Sequence, residues 1–177
     1  MIKTLKFKTK LMELSFHHWT SRETIELLIK NWENVNNEDE DWKTALMFSS
    51  MSRKETTKTL IENWADVDAK DKKWKTALHY AGIFANTSVV KLLIKNWADV
   101  NAKDKKWRTA LMEASWNNFN PSHEVIETIE LLIENWVDVN VKDEDWKTPL
   151  NTAEDCRNSE IVELLIKNWA KYKPKQV

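Results

Sequence analysis

Residues 92–111, LLIKNWADVNAKDKKWRTAL, contain the two motifs that organise the whole chain. The first motif, Leu-Leu-Ile-x-Asn-Trp, has copies that begin at Leu27, Leu92, Leu131 and Leu164, and a variant that begins at Thr59. The second motif, Asp-x-x-Trp-(Lys/Arg)-Thr-(Ala/Pro)-Leu, begins at Asp39, Asp71, Asp104 and Asp143. Successive Asn-Trp pairs lie 32, 33, 39 and 33 residues apart, which indicates a tandem repeat with one insertion.

Each repeat carries the signals of two short helices. A threonine precedes each predicted first helix, where its hydroxyl can cap free backbone amides; these are Thr9, Thr44, Thr76, Thr109 and Thr148. The predicted second helix has an apolar stripe at helical spacing, as in Val89, Val90, Leu93 and Ile94. One such unit cannot bury its apolar face alone, so we expect neighbouring repeats to stack and share a core.

These motifs resemble the ankyrin repeat family. The similarity is carried by Ala98–Asp104 followed by Thr109-Ala110-Leu111, by Thr76-Ala77-Leu78-His79 and by Thr148-Pro149-Leu150, and it covers roughly residues 7 to 170. The resemblance implies an all-α solenoid of about five stacked repeats, each a helix-turn-helix followed by a β-hairpin loop. We place the repeats of this single domain, residues 1–177, at about 5–38, 39–70, 71–103, 104–142 and 143–177, with an insertion at 117–123.

Glycine and tryptophan occur in abnormal numbers. The chain has 1 Gly and 11 Trp, whereas the usual glycine share of about 7% would give roughly 12 glycines. Ankyrin repeats place glycine after the second helix and in the hairpin turn, and here those positions hold Trp32, Trp64, Trp97, Trp136 and Trp169, then Trp42, Trp74, Trp107 and Trp146. Trp19 and Trp116 also lie where glycine is common. Glycine adopts positive φ freely, whereas an L-residue there loses about 1–2 kcal/mol.

We therefore hypothesise that these tryptophans are glycines in the native protein. The codon UGA encodes tryptophan in some genetic codes and glycine in others, so the wrong code would convert only the UGA-encoded glycines. Gly82 would remain because a GGN codon encodes it. The alternatives are deliberate substitution and a genuine Trp-rich repeat, whose surface would bind a membrane or a carbohydrate.

Composition and charge exclude several classes of protein. Lys and Arg number 27 and Asp and Glu number 28, so no global charge favours nucleic acid. One cysteine excludes an internal disulfide framework and suits a reducing compartment. No apolar segment reaches transmembrane length, and none near the start suits a signal peptide. We expect a cytoplasmic monomer that binds neither nucleic acid nor membrane, and an unconventional secretion signal, as in a secreted effector, stays open.

The sequence gives no support for catalysis, a cofactor or a metal. The four histidines, His17, His18, His79 and His123, lack metal-ligand spacing, and we expect His79 to form a structural hydrogen bond at a repeat junction. Cys156 has no activating partner. With tryptophan read as glycine, Trp42-Lys43-Thr44 and its copies become Gly-Lys-Thr, but the earlier glycine of a phosphate-binding loop is missing.

The resemblance implies a non-catalytic scaffold that binds a protein partner through its hairpin tips and the concave face of its first helices. The residue after Thr-x-Leu-x should face that concavity; this rule selects Glu13, Phe48, Tyr80, Glu113 and Thr152. Phe48 and Tyr80 form a candidate hot spot. The alternative is that both rings pack under a neighbouring repeat.

The predicted tips alternate in charge. The first tip is acidic, with Glu38, Asp39, Glu40 and Asp41. The second and third tips are basic: the second has Lys70, Lys72, Lys73 and Lys75, and the third has Lys103, Lys105, Lys106 and Arg108. The last tip is mostly acidic, with Asp143, Glu144 and Asp145. A basic centre could attract an acidic segment of a partner; alternatively these charges serve solubility and pair with Asp71 and Asp104. The predicted partner-binding residues are Phe48, Tyr80, Glu113, Asp41, Lys73, Lys75, Lys106 and Arg108.

Overall fold

A computed structural model describes residues 9–16, 21–31, 33–52, 54–116 and 122–169. Its helices are α1 (Lys10–Phe16), α2 (Arg22–Lys30), α3 (Ala45–Ser50), α4 (Lys54–Glu62), α5 (Ala77–Ile83), α6 (Thr87–Lys95), α7 (Ala110–Ser115), α8 (His123–Glu134), α9 (Pro149–Asp155) and α10 (Ser159–Trp169). They form successive pairs, one pair in each predicted repeat. His17, His18, Trp19, Trp32, most of the predicted insertion and the tail after Trp169 lie outside the described residues.

The helix pairs stack into two layers. Each first helix contacts the first helix of the next repeat, in the order α1, α3, α5, α7 and α9, and the second helices α2, α4, α6, α8 and α10 do the same. The core lies between the layers, with fully buried side chains such as Leu46, Leu78 and Leu111 from the first layer. Burial of each leucine contributes about 1.5–3 kcal/mol. The prediction of an all-α solenoid is confirmed.

The threonines begin the first helices as predicted. Thr44, Thr76, Thr109 and Thr148 are the residues before α3, α5, α7 and α9, all in extended conformation. The hydroxyl of Thr148 accepts a hydrogen bond from the Asn151 amide at 3.2 Å, while Asn151 accepts one from the Thr148 amide at 3.1 Å. Pro149 occupies the first turn, where its missing N–H leaves no intrahelical bond unmade.

The second helices α4, α6 and α8 each end in a turn with two backbone hydrogen bonds and one residue in the left-handed conformation. At the end of α4, the Trp64 amide donates to the Ile61 carbonyl at 3.0 Å and the Ala65 amide donates to the Leu60 carbonyl at 3.0 Å. This is the Schellman arrangement, in which the residue at the Trp64 position has positive φ. The φ values are 67° at Trp64, 67° at Trp97 and 66° at Trp136.

An aspartate organises each hairpin tip. One Asp104 carboxylate oxygen accepts hydrogen bonds from the Lys106 amide at 2.8 Å and the Arg108 amide at 2.9 Å. The same arrangement recurs at Asp39, Asp71 and Asp143. In the described residues, the predicted β-hairpins take the form of these turns, with one isolated antiparallel bridge between Glu38 and Thr44.

The tips also place tryptophan in the left-handed region. The φ values are 63° at Trp42, 62° at Trp74, 62° at Trp107 and 61° at Trp146. Together with the three helix ends, this makes seven tryptophans with positive φ among the described residues. Trp116, the residue that follows α7, has a φ of −76° and therefore needs no glycine for conformational reasons.

The one glycine serves close packing instead. Gly82 has no positive φ. A Cβ added to it would lie 2.7 Å from the Ala110 carbonyl oxygen, which is shorter than a van der Waals contact. Gly82 therefore allows α5 and α7 to approach each other closely.

Candidate functional site

The hairpin tips form one continuous edge of the solenoid. We define the first tip as residues 38–43, the second as 70–75, the third as 103–108 and the fourth as 142–147. One backbone hydrogen bond joins each neighbouring pair: Lys72 N to Asp41 O at 2.8 Å, Lys105 N to Lys73 O at 2.9 Å, and Glu144 N to Lys106 O at 3.0 Å. These bonds fix the register of the tips relative to one another.

A small cavity of about 90 Å³ lies between the first and second tips. Asp41, Lys43, Asp71, Lys72, Lys73 and Tyr80 line it. The Tyr80 hydroxyl donates a hydrogen bond to Asp71 at 2.6 Å, and the Lys43 ammonium lies 5.7 Å from the centre of the Tyr80 ring. Burial and the Asp71 carboxylate raise the pKa of Tyr80, so its hydroxyl stays protonated and acts as a donor. The structure thus brings the predicted residues Asp41, Lys73 and Tyr80 together.

A second cavity of about 180 Å³ lies between the third and fourth tips. Its lining includes Lys106, Arg108, Met112, Lys147 and Thr152, together with acidic residues of the fourth tip. The structure therefore brings Lys106 and Arg108 together at one site, separate from the cavity that contains Tyr80. Lys106 forms an ion pair with Glu144 at 3.0 Å across the two tips.

A buried ionic cluster connects the second and third tips to α7. The Lys75 ammonium contacts the Glu113 carboxylate and lies 3.6 Å from Asp104. The Arg108 guanidinium lies 3.3 Å from Glu113 and 3.7 Å from Asp104. Lys75 and Glu113 are each only 9% exposed. Three predicted binding residues, Lys75, Arg108 and Glu113, are therefore paired within the chain. The alternative interpretation, intrachain pairing of the tip charges, holds for the pairing with Asp104.

The predicted aromatic hot spot is not exposed. Phe48 is 1% exposed and Tyr80 is 8% exposed, so the expectation that both rings face an open groove is wrong. α3 packs between α1 and α5, and Phe48 belongs to the hydrophobic core. The alternative, in which the rings pack under neighbouring repeats, describes Phe48. Tyr80 is buried but lines the cavity between the first two tips.

The other predicted concave positions are also shielded. Thr152 is 5% exposed, and its hydroxyl donates to the Thr148 carbonyl at 3.1 Å. Glu13 is half-buried and forms an ion pair with Lys10 at 2.9 Å. Of the predicted binding residues, Asp41, Lys73 and Lys106 are exposed. The predicted set omitted Lys43, Asp71 and Lys72, which also line the first cavity; their places in the first two tips were the available signal.

His79 has the structural role that its motif predicts. The imidazole is fully buried, its Nδ1 accepts a hydrogen bond from the Thr76 amide at 3.1 Å, and its Nε2 lies 3.0 Å from the Arg108 carbonyl oxygen. It therefore caps α5 and connects α5 to the next repeat. Burial lowers the pKa of His79, so the neutral form is favoured.

The described residues contain no group of three or more side chains arranged to hold a metal ion. The thiol of Cys156 is buried, and burial raises its pKa, which disfavours the nucleophilic thiolate. Within the same part of the chain, no helix is both long and apolar enough to cross a bilayer.

Comparison with known proteins agrees with the stacked helix pairs and the recurrent tips. The family profile described as "Ankyrin repeats (3 copies)" matches residues 11–104, 51–127 and 85–176. The chain belongs to the ankyrin repeat family. Ankyrin repeats generally serve as protein–protein interaction modules, and the family is typically non-enzymatic. No curated protein matches this ankyrin array.

Proposed function

We propose that this array is a non-catalytic scaffold that binds a protein partner through its hairpin tips and the adjoining surface of its first helices. The supporting observation is that two of the cavities between successive tips are small, about 90 and 180 Å³. Pockets for small molecules usually measure about 300–1,000 Å³. The two cavities are smaller than this, and their size suits single side chains of a partner that lies along the tip edge.

A crosslinking experiment tests this surface. A photoreactive residue at Lys73, which is exposed beside the first cavity, should capture the partner. The control is a photoreactive residue at Lys91, which is exposed on α6. Equal capture from Lys73 and Lys91 would show that the partner does not bind specifically at the tip edge. Tyr80→Phe is preferable to Tyr80→Ala, because Tyr80 is buried and its removal would leave a cavity.

We also infer that the tryptophans are glycines in the native protein. The seven positive φ values at helix ends and tips support this. Each such residue loses about 1–2 kcal/mol relative to a favoured conformation, so seven together lose on the order of 10 kcal/mol, comparable with the stability of a whole domain. The gene decides the question: eleven UGG codons would end the hypothesis. A mass spectrum of the native protein would show the same eleven differences.

The alternative function takes the tryptophans literally. Trp74 and Trp107 line a surface groove of about 470 Å³, and Trp107 and Trp146 line another of about 350 Å³. Such grooves would suit a sugar ring or an interfacial contact with lipid. Co-sedimentation with polysaccharides and with vesicles tests this function, and the absence of both would exclude it.

We also propose that the array acts as a monomer in the cytoplasm. The supporting observation is the free, buried Cys156, which suits a reducing compartment. Size-exclusion chromatography with light scattering tests the oligomeric state. Fractionation of the source cells tests the location, and recovery of the protein from the medium would contradict it.

A further inference from the structure

The lysines of the second and third tips differ in how they are neutralised. Lys75 lies in the buried ionic cluster, and Lys106 pairs with Glu144 at 3.0 Å. The other lysines of these tips are exposed, and the structure assigns them no carboxylate within ion-pair distance among the described residues; they are Lys70, Lys72, Lys73, Lys103 and Lys105. Pairing within the chain therefore accounts for only part of the basic charge.

The aspartates of these tips do not neutralise the exposed lysines. Asp71 is 2% exposed; one of its carboxylate oxygens accepts hydrogen bonds from the amides of Lys73 and Lys75, both at 2.8 Å, and the other accepts the Tyr80 hydroxyl. Asp104 is 3% exposed and contributes to the ionic cluster. Both carboxylates are thus used inside the fold, and the outer surface of the two tips remains basic.

The neighbouring tips have the opposite sign. Glu38, Glu40 and Asp41 are exposed in the first tip, and Glu144 and Asp145 are exposed in the fourth. A nucleic-acid backbone carries regularly spaced negative charge, so the acidic tips would repel it on both sides of a short basic stretch. A flat anionic membrane would meet the same repulsion. The charge pattern fits a ligand whose negative charge is confined to a short segment.

The general distance between packed helices of neighbouring repeats suggests the conformation of such a segment. The bond between Lys105 N and Lys73 O holds the second and third tips side by side, and neighbouring helices generally pack about 8–10 Å apart. In a polyproline II segment, every third side chain lies on the same face, about 9 Å along the axis. Carboxylates at every third position would therefore match lysines that recur once in each repeat.

We infer that the second and third tips bind an extended acidic segment of the protein partner, with carboxylates at every third position. This inference rests on the proposed scaffold function and names the chemistry of its partner. Lys72 and Lys105 occupy equivalent positions in successive tips and act as the principal contacts. Because both are exposed, the attraction is strong only at low ionic strength and acts mainly on the rate of association.

A peptide-binding experiment on the full chain tests the inference. The probe is a fluorescent peptide of four Glu-Pro-Pro units; a peptide with the same composition but adjacent glutamates tests the spacing. The variant Lys72→Glu with Lys105→Glu should weaken binding of the spaced peptide by about tenfold at low salt. The matched control reverses two exposed lysines of α6, Lys91→Glu with Lys95→Glu, and should bind as the parent chain does.

Several results would overturn the inference. Equal affinity for the spaced and clustered peptides would contradict the third-position spacing. Tighter binding of duplex DNA or of phosphatidylserine vesicles, lost in the same tip variant, would identify a different class of ligand. A partner captured by the scaffold and retained equally by both charge-reversed variants would overturn the acidic-segment inference and support the scaffold function. Peptide binding that depends on Lys72 and Lys105, without capture of any protein at Lys73, would instead count against the scaffold.

Discussion

Replacement of Trp97 by glycine should stabilise the protein. The Trp97 side chain is 90% exposed, so its removal uncovers little buried surface, and its φ is 67°. Relief of the left-handed conformation should contribute about 1–2 kcal/mol, and the larger conformational freedom of glycine in the unfolded chain should remove about 0.5–1 kcal/mol of this. The free energy of unfolding should therefore rise by about 0.5–1 kcal/mol, which raises Tm by roughly 1–4 °C in a chain of this size.

The decisive comparison is between glycine and alanine at two positions. Trp97→Gly should be more stable than Trp97→Ala, because alanine retains a Cβ at positive φ. At Trp116, where φ is −76°, the order should reverse, and Trp116→Gly should be less stable than Trp116→Ala by about 0.5–1 kcal/mol. Urea unfolding should be followed by far-UV circular dichroism, since tryptophan fluorescence changes with each substitution. Equal stability of the Trp97 pair, or the same order at both positions, would refute the reasoning.

Three further outcomes follow from single contacts. Gly82→Ala should lower the free energy of unfolding by about 1–2 kcal/mol in urea titrations, because its Cβ would lie 2.7 Å from the Ala110 oxygen; an unchanged midpoint would show that α5 and α7 separate easily. The pKa of His79 is lowered from 6.5, so stability should fall as pH drops below about 6.5, where only the unfolded chain gains the proton, and His79→Asn should flatten this part of the pH profile of Tm. Asp68 accepts a hydrogen bond from the backbone amide of Asp99 at 3.0 Å, whereas Asn101, at the equivalent position of the next repeat, both accepts from a backbone amide and donates to a carbonyl. Asp68→Asn should therefore raise the free energy of unfolding by about 0.5–1 kcal/mol. A lower Tm in thermal unfolding would contradict the equivalence of these positions.

The fold could be predicted because its signals recur. A single Thr-x-Leu motif or a single apolar stripe is ambiguous, but five copies at a spacing of about 33 residues, with one insertion, make stacking the arrangement that buries every stripe. The caps at Thr44 and Thr148 and the role of His79 followed from local chemistry, since each depends on residues within one turn of a helix or at the next junction.

The site was harder to predict because exposure depends on neighbouring repeats. Phe48 looks like a groove residue in its own motif, yet it is buried in α3, a helix that packs between α1 and α5. Lys72 and Lys75 lie three residues apart and have the same charge, but Lys72 is exposed and Lys75 is buried. Lys75 is buried beside Asp104 and Glu113, which belong to the next repeat. These distinctions are set by contacts between repeats, which the pattern of one repeat does not contain.

The buried ionic cluster has a consequence for the way the array opens. A linear stack frays from its two ends, and each terminal repeat is held by one neighbour only. Lys75 and His79 reach from the third repeat to Asp104, Arg108 and Glu113 of the fourth, so a buried polar connection lies near the middle of the described part of the stack. Amide hydrogens of α5 and α7 should therefore exchange with solvent last, and a pulling force applied at the termini should peel off the outer repeats before it separates these two.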